Sequence, residues 1–214
     1  MRAKTKTVLT TAAVGIAWVV AVAFGLRVLL NYESAPGRVG AVPQSWPATS
    51  QIPRANDRPT LIMMAHPRCP CTRASMNELA QVMARVQGKI TAYVLFYKPR
   101  GPSRPGGGDD WEHTDLRQSA AQIPGVIVLS DVDGVEARRF GAETSGHTFL
   151  FDSAGRLLFN GGITESRGHS GDNAGESAIV SLVKDRASKR AETFVFGCSL
   201  AAHGKTETGL PCLK

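Results

Sequence analysis

Two cysteines one residue apart, Cys69-Pro70-Cys71, stand where an apolar run of strand character, Leu61-Ile62-Met63-Met64-Ala65, gives way to a helical pattern. The junction restricts the chain to folds in which a buried strand hands its C-terminal end to the start of a helix. Met76, Leu79, Ala80, Met83 and Val86 recur at the spacing of one helix face, and Gly88 closes the run. Proline is favoured at the first helical position, so Pro70 there predicts Cys69 at the N-cap and Cys71 at the second helical position. A sulfur at that end sits among unpaired N–H groups and the positive pole of the helix dipole, which favours thiolate. Positions two apart on a regular helix point roughly 200° apart, so a Cys69–Cys71 bond requires non-helical backbone at the cap.

A second constraint comes from the other end. Thr7 to Leu26 carries no charge over twenty residues, enough as a helix to cross a bilayer core of about 30 Å. Arg2, Lys4 and Lys6 precede it, which predicts a cytoplasmic N-terminus and a domain outside the cytoplasmic membrane, periplasmic in a bacterial cell. Ala21-Val22-Ala23 also has the small-x-small form of a cleaved signal peptide. The apolar run continues through Val28-Leu29-Leu30, broken only by Arg27, and that length favours a retained anchor. Either reading delivers the cysteines to an oxidising compartment.

The expected organisation is a basic tip and anchor over 1–30, a Pro/Gly/Ser-rich tether over 31–58, one domain over 59–190, and a tail over 191–214 carrying Cys198 and Cys212. Of the formal charge of +7, the first thirty residues hold four, and no basic run follows. A nucleic-acid partner is therefore excluded.

Beyond the first helix, strand and helix alternate. Ile90 to Tyr97 reads as a central strand, and Pro99 to Asp110, with Gly106-Gly107-Gly108, as a flexible insertion. A helix over Asp115 to Ala121, a strand over Val126 to Leu129 and a helix from Asp133 to Phe140, stopped by Gly141, follow. Thr148 to Phe151 and Leu157 to Phe159 form a hairpin across Asp152-Ser153-Ala154-Gly155-Arg156. A last helix covers Gly175 to Lys189. The class is α/β.

This order resembles thioredoxin-like, membrane-anchored thiol-disulfide oxidoreductases, a group that includes bacterial cytochrome c maturation proteins. Gly146-His147-Thr148-Phe149-Leu150-Phe151-Asp152-Ser153-Ala154-Gly155-Arg156 is similar to that group's P-T-T-F-L-I-D-x-x-G-x segment. Ala65 to Ser75 and Arg167 to Gly175 resemble the RedB-like thioredoxin-fold set, the likeness covering about residues 59 to 200. It implies a central mixed sheet flanked by helices, with a helix-strand insertion, behind one transmembrane helix. It also implies exchange in which Cys69 attacks, or is attacked, and Cys71 resolves the mixed disulfide. The partners implied are a thiol or disulfide protein and a membrane electron donor, with no cofactor.

Two departures stand out. His66-Pro67-Arg68-Cys69-Pro70-Cys71 replaces W-C-x-x-C, so the tryptophan is missing and the ring closed by oxidation is smaller. Ser145 or Gly146 occupies the position of the cis-proline that faces the sulfurs in thioredoxins, which makes Ser145, Gly146 and His147 the expected substrate-facing loop.

Arg68 and Arg73 add positive potential beside the sulfurs. His66 is a candidate for proton transfer. So is His169, because the resemblance brings the loop after the hairpin toward the active-site helix. Asp172 and Asn173 are candidate caps of the last helix. Cys198 and Cys212 either staple the tail or supply a resolving thiol for Cys69.

A different class of function is copper handling, for which Cys69, Cys71 and His147 are the candidate ligands, with His66, His203 and the tail cysteines as further soft or imidazole donors. Zinc is disfavoured because no C-x2-C pair occurs. A peroxidase would require a T-x-x-C arrangement that is absent. A scaffold with purely structural cysteines is the remaining alternative.

Overall fold

The computed structural model describes residues 2–101, 110–184 and 192–200. The chain divides between Ala35 and Pro36 into two units.

The first unit is one helix, α1 (Arg2–Ser34). Its span from Lys6 to Ser34 is long and apolar enough to cross a membrane. Val8, Val14, Trp18 and Phe24 are all exposed, and a helix apolar on every side needs either a protein core or lipid around it. The helix runs through Arg27 without a break, four residues past the expected end of the anchor at residue 30.

The second unit holds a five-stranded mixed sheet. Its strands are β1 (Thr60–Ala65), β2 (Thr91–Lys98), β3 (Val126–Val132), β4 (His147–Phe151) and β5 (Leu157–Gly161), in spatial order β3-β2-β1-β4-β5. β1, β2 and β3 are parallel, β4 runs antiparallel to β1, and β5 antiparallel to β4. The helices are α2 (Thr72–Val86), α3 (Asp115–Ala121), α4 (Val135–Phe140) and α5 (Ala174–Lys184). This is the thioredoxin-like arrangement, with α3 and β3 as the helix-strand insertion.

β1 lies at the centre and is buried on both faces, which is why its sequence is continuously apolar. Leu61 and Met63 face α2, α3 and α5. Ile62 and Met64 face Phe140 of α4, Phe149 and Phe151. The C-terminal end of this central strand opens directly into the cysteine motif.

Several boundaries differ from expectation. α2 begins at Thr72, so Cys71 and not Cys69 is its N-cap, and Gln87 in the left-handed region takes the C-cap ahead of Gly88. Asp133 and Gly134 both have positive φ, so α4 starts only at Val135. α5 is described from Ala174 to Lys184. The remainder of the expected last helix lies outside the described residues, as do Gly106 to Gly108.

The larger correction concerns the expected tether over 31–58. Residues 36–58 belong to the globular unit. Trp46 packs edge-on against Phe140 and Phe151, both at 5.3 Å between centroids, and Ile52 is buried in the same core. Backbone bonds from Trp46 N–H to Gly155 O and from Leu157 N–H to Gln44 O fix the segment to the hairpin. Its prolines suit a strap that pairs only at isolated bridges, Val39 with Ala142 and Ser45 with Arg156.

Candidate active site

From Ala65 the chain leaves the sheet through a series of tight turns. Cys69 N–H donates to His66 O, and Thr72, Arg73 and Ala74 N–H donate to Cys69, Pro70 and Cys71 O, each three residues back, at 3.1–3.2 Å. These three-residue turns carry the backbone into α2 and keep both cysteines off the regular helix. Neither Cys69 nor Cys71 is in a disulfide. Cys198, arriving from the far end of the domain, is disulfide-bonded. The sulfurs of Cys69, Cys71 and Cys198 all lie within 4.8 Å of one another, and those of Cys69 and Cys198 are 2.9 Å apart.

Cys69 is held as thiolate. Its pKa falls from 9.0 to about 5, first because Cys71 donates a hydrogen bond to it, with further donation from the Thr72 side chain and from the Cys198 and Thr72 N–H groups outweighing burial. Cys71 moves the opposite way, its proton retained by that bond to Cys69 and by burial, while Arg167 pulls the value back down. One thiolate shares one proton with a neighbouring thiol.

Hydroxyls extend this arrangement. Ser145 Oγ accepts from His66 N–H at 2.7 Å and bonds Thr72 Oγ1 at 2.6 Å. With Thr72 donating to the sulfur, Ser145 becomes the donor to Thr72, so Ser145, Thr72 and Cys69 form a polarised line. Ser145 is fully buried.

The cover over the sulfurs is the segment 192–200. Thr144 and Ser199 form an antiparallel bridge, Ser145 N–H donates to Cys198 O at 2.8 Å, and Leu200 N–H donates to Glu143 O at 2.9 Å. A Cβ on Gly197 would stand 2.0 Å from Ser145 O, so only glycine allows this approach. The Arg167 guanidinium donates to Gly197 O. Cys69 is consequently 2% exposed. Cys71 is half-buried.

The structure moves several expected site residues. Ser145, Gly146 and His147 do not face solvent. All three are buried, because segment 192–200 pairs with the loop and Gly146 N–H bonds Met64 O. His147 shares a sheet face with Phe149, 4.2 Å between ring centroids, on the side of the α4 core, and its Nε2 meets Asn160 Oδ1 at 2.6 Å. Strand parity thus sends it to the face opposite α2, away from the sulfurs. Cys198 replaces it in the only three-residue metal-competent cluster among the described residues.

His66 lies in an aromatic box, stacked on Tyr97 and edge-on to Trp111, and its Nδ1 accepts from Arg68 N–H. Burial, then the charge of Arg68, lowers its pKa to about 4, so the ring is neutral at neutral pH. Arg68 is stacked over Trp111 at 4.0 Å, and Arg73 is paired with Asp115. Trp111 supplies, from the segment before α3, an indole where the motif itself has none. His169 is exposed, and its loop is held further along α2, where Glu78 accepts from Gly171 N–H and Asn173 Nδ2. Asn173 caps α5 by accepting from Glu176 N–H. His203 and Cys212 lie outside the described residues.

Arg167 is the functional candidate that reading the sequence passes over. It sits two residues before His169 in the same Arg167 to Gly175 stretch, and nothing in its spacing distinguishes it from a surface arginine.

No protein-family model matches the chain, and no curated protein matches it. Among solved structures it is similar to a hypothetical protein from Sinorhizobium meliloti 1021, at 16% identity and a TM-score of 0.55, covering 78% of this chain and 96% of that one. An uncharacterized conserved protein from Geobacillus kaustophilus matches equally, at 16% identity and 0.55, over 81% and 95%. A putative thiol:disulfide interchange protein DsbE from Chlorobium tepidum matches at 16% identity and 0.45, over 67% and 99%. These likenesses concern the fold.

Proposed function

We propose that the chain is a membrane-tethered, extracytoplasmic thiol-disulfide oxidoreductase in which Cys69 is the attacking sulfur. The observation that carries the reading is the placement of the Cys69 sulfur, within 4.8 Å of the Cys71 sulfur and 2.9 Å from a disulfide sulfur, among donors that lower its pKa. Cys69 attacks one sulfur of a partner disulfide and forms a mixed disulfide, and the departing sulfur leaves as a thiolate. Cys71 then gives up its proton, attacks Cys69 and releases the partner. Burial lowers both His66 and His147 to about 4, which makes each a weak base, and His147 Nε2 is engaged with Asn160 Oδ1.

The test uses the full-length chain in detergent with a disulfide-bonded peptide. Cys69→Ser is expected to abolish reduction of the peptide, and Cys71→Ser to accumulate a mixed disulfide on Cys69. Retained turnover in Cys69→Ser overturns the proposal.

The three-sulfur cluster favours one second reading. With Cys198 reduced, Cys69, Cys71 and Cys198 would offer three soft sulfur ligands of the kind that suit monovalent copper, with His147 excluded by its position. Copper retained through dialysis by the reduced chain, lost in Cys198→Ser and unchanged in His147→Ala, would support it.

A further inference from the structure

Within residues 192–200, Cys198 to Leu200 pair with the loop 143–145 through an isolated antiparallel bridge and two backbone hydrogen bonds, the main-chain pairing by which an extended peptide is taken up. The segment presents a disulfide sulfur, that of Cys198, to the Cys69 sulfur. Three features are built for the fit: Gly197 admits the close backbone approach, Arg167 holds the Gly197 carbonyl, and Ser145 N–H holds the Cys198 carbonyl. Val195 O also accepts from Gly37 N–H, and Phe194 O from Gly162 N–H, so the segment is tied on both sides before it reaches Cys198.

We infer that segment 192–200 is a resident substrate of the site, and that the disulfide at Cys198 is the first acceptor of electrons from the Cys69 and Cys71 pair. The inference rests on the exchange reading and names its first partner as part of the same chain. Cys69 thiolate attacks Cys198 Sγ. The Cys69–Cys198 bond forms as the bond from Cys198 to its present partner breaks, and that partner leaves as a thiolate and takes a proton from water. Cys71 loses its proton to water, attacks Cys69 and expels Cys198, which leaves as a thiolate and is protonated in turn. The pair is oxidised by two electrons and the Cys198 disulfide is reduced by two. While docked, the segment also occupies the place beside the sulfurs that an outside peptide would take.

The experiment uses full-length Cys71→Ser, prepared with the Cys198 disulfide intact, acid-quenched and digested for non-reducing mass spectrometry. The expected result is a Cys69–Cys198 linked peptide with one new free thiol released from the former partner of Cys198. Gly197→Ala in the same background, with its fold checked by circular dichroism, is expected to lower that product on the order of tenfold and to speed alkylation of Cys69. A Cys198 bond that stays unchanged while Cys69 forms a mixed disulfide with an added small disulfide overturns the inference and leaves the exchange reading standing. A Cys69 that reacts with neither, even in Gly197→Ala, overturns both.

Discussion

A thiolate withdrawn from water survives only if donors replace the water it has lost. At Cys69 these donors are the Cys71 thiol, the Thr72 hydroxyl and two backbone N–H groups. Thiolate absorbance of the folded chain should therefore titrate with a midpoint near 5, and Cys71→Ala should move that midpoint upward because its largest cause is gone. Stability carries the same signature. Between pH 5 and 9 the unfolded chain holds a proton at Cys69 that the folded chain has released, so stability rises with pH across that window and is lost as pH falls through 5. Denaturant unfolding at several pH values should show this slope, flattened in Cys69→Ala. Ser145→Ala removes a buried hydroxyl serving both His66 N–H and Thr72. It should cost about 1–3 kcal/mol in unfolding free energy and raise the Cys69 midpoint.

Among the elements, the strap 36–58 contributes to the α4-side core through Trp46 and Ile52. Trp46→Ala should destabilise the chain by about 2–4 kcal/mol, read from denaturant melts, the half-burial of the ring placing it toward the low side. The sheet was legible because β1 and β2 are apolar runs of the right length, and α2 because Met76, Leu79, Met83 and Val86 hold one face. The strap was not, since a segment that pairs only at single bridges and inserts one ring at a time has no period to detect. Proline propensity puts Pro70 at N1 of α2, whereas the turns through Cys69 and Cys71 place it before the cap. The residue type of His147 points to a ligand, and only strand parity shows its face. Counting from Phe149, which faces the α4 core, puts it on that same face.

At the scale of the molecule, the sulfurs lie at the C-terminal end of the central parallel strand, where two of their three groups come from one turn and the third from a segment more than a hundred residues away. Sequence spacing gave Cys69 and Cys71 their proximity but carried no information on Cys198, whose approach depends on Gly197 and on backbone pairing across the loop at 143–145. The segment 192–200 also shields the Cys69 sulfur. Peroxide converts an accessible thiolate to sulfenic acid and then, irreversibly, to sulfinic and sulfonic acids. A low-pKa sulfur roofed by its own chain is spared that sequence, so Cys69 in the folded protein should resist hyperoxidation at peroxide levels that consume it once Gly197→Ala lifts the roof.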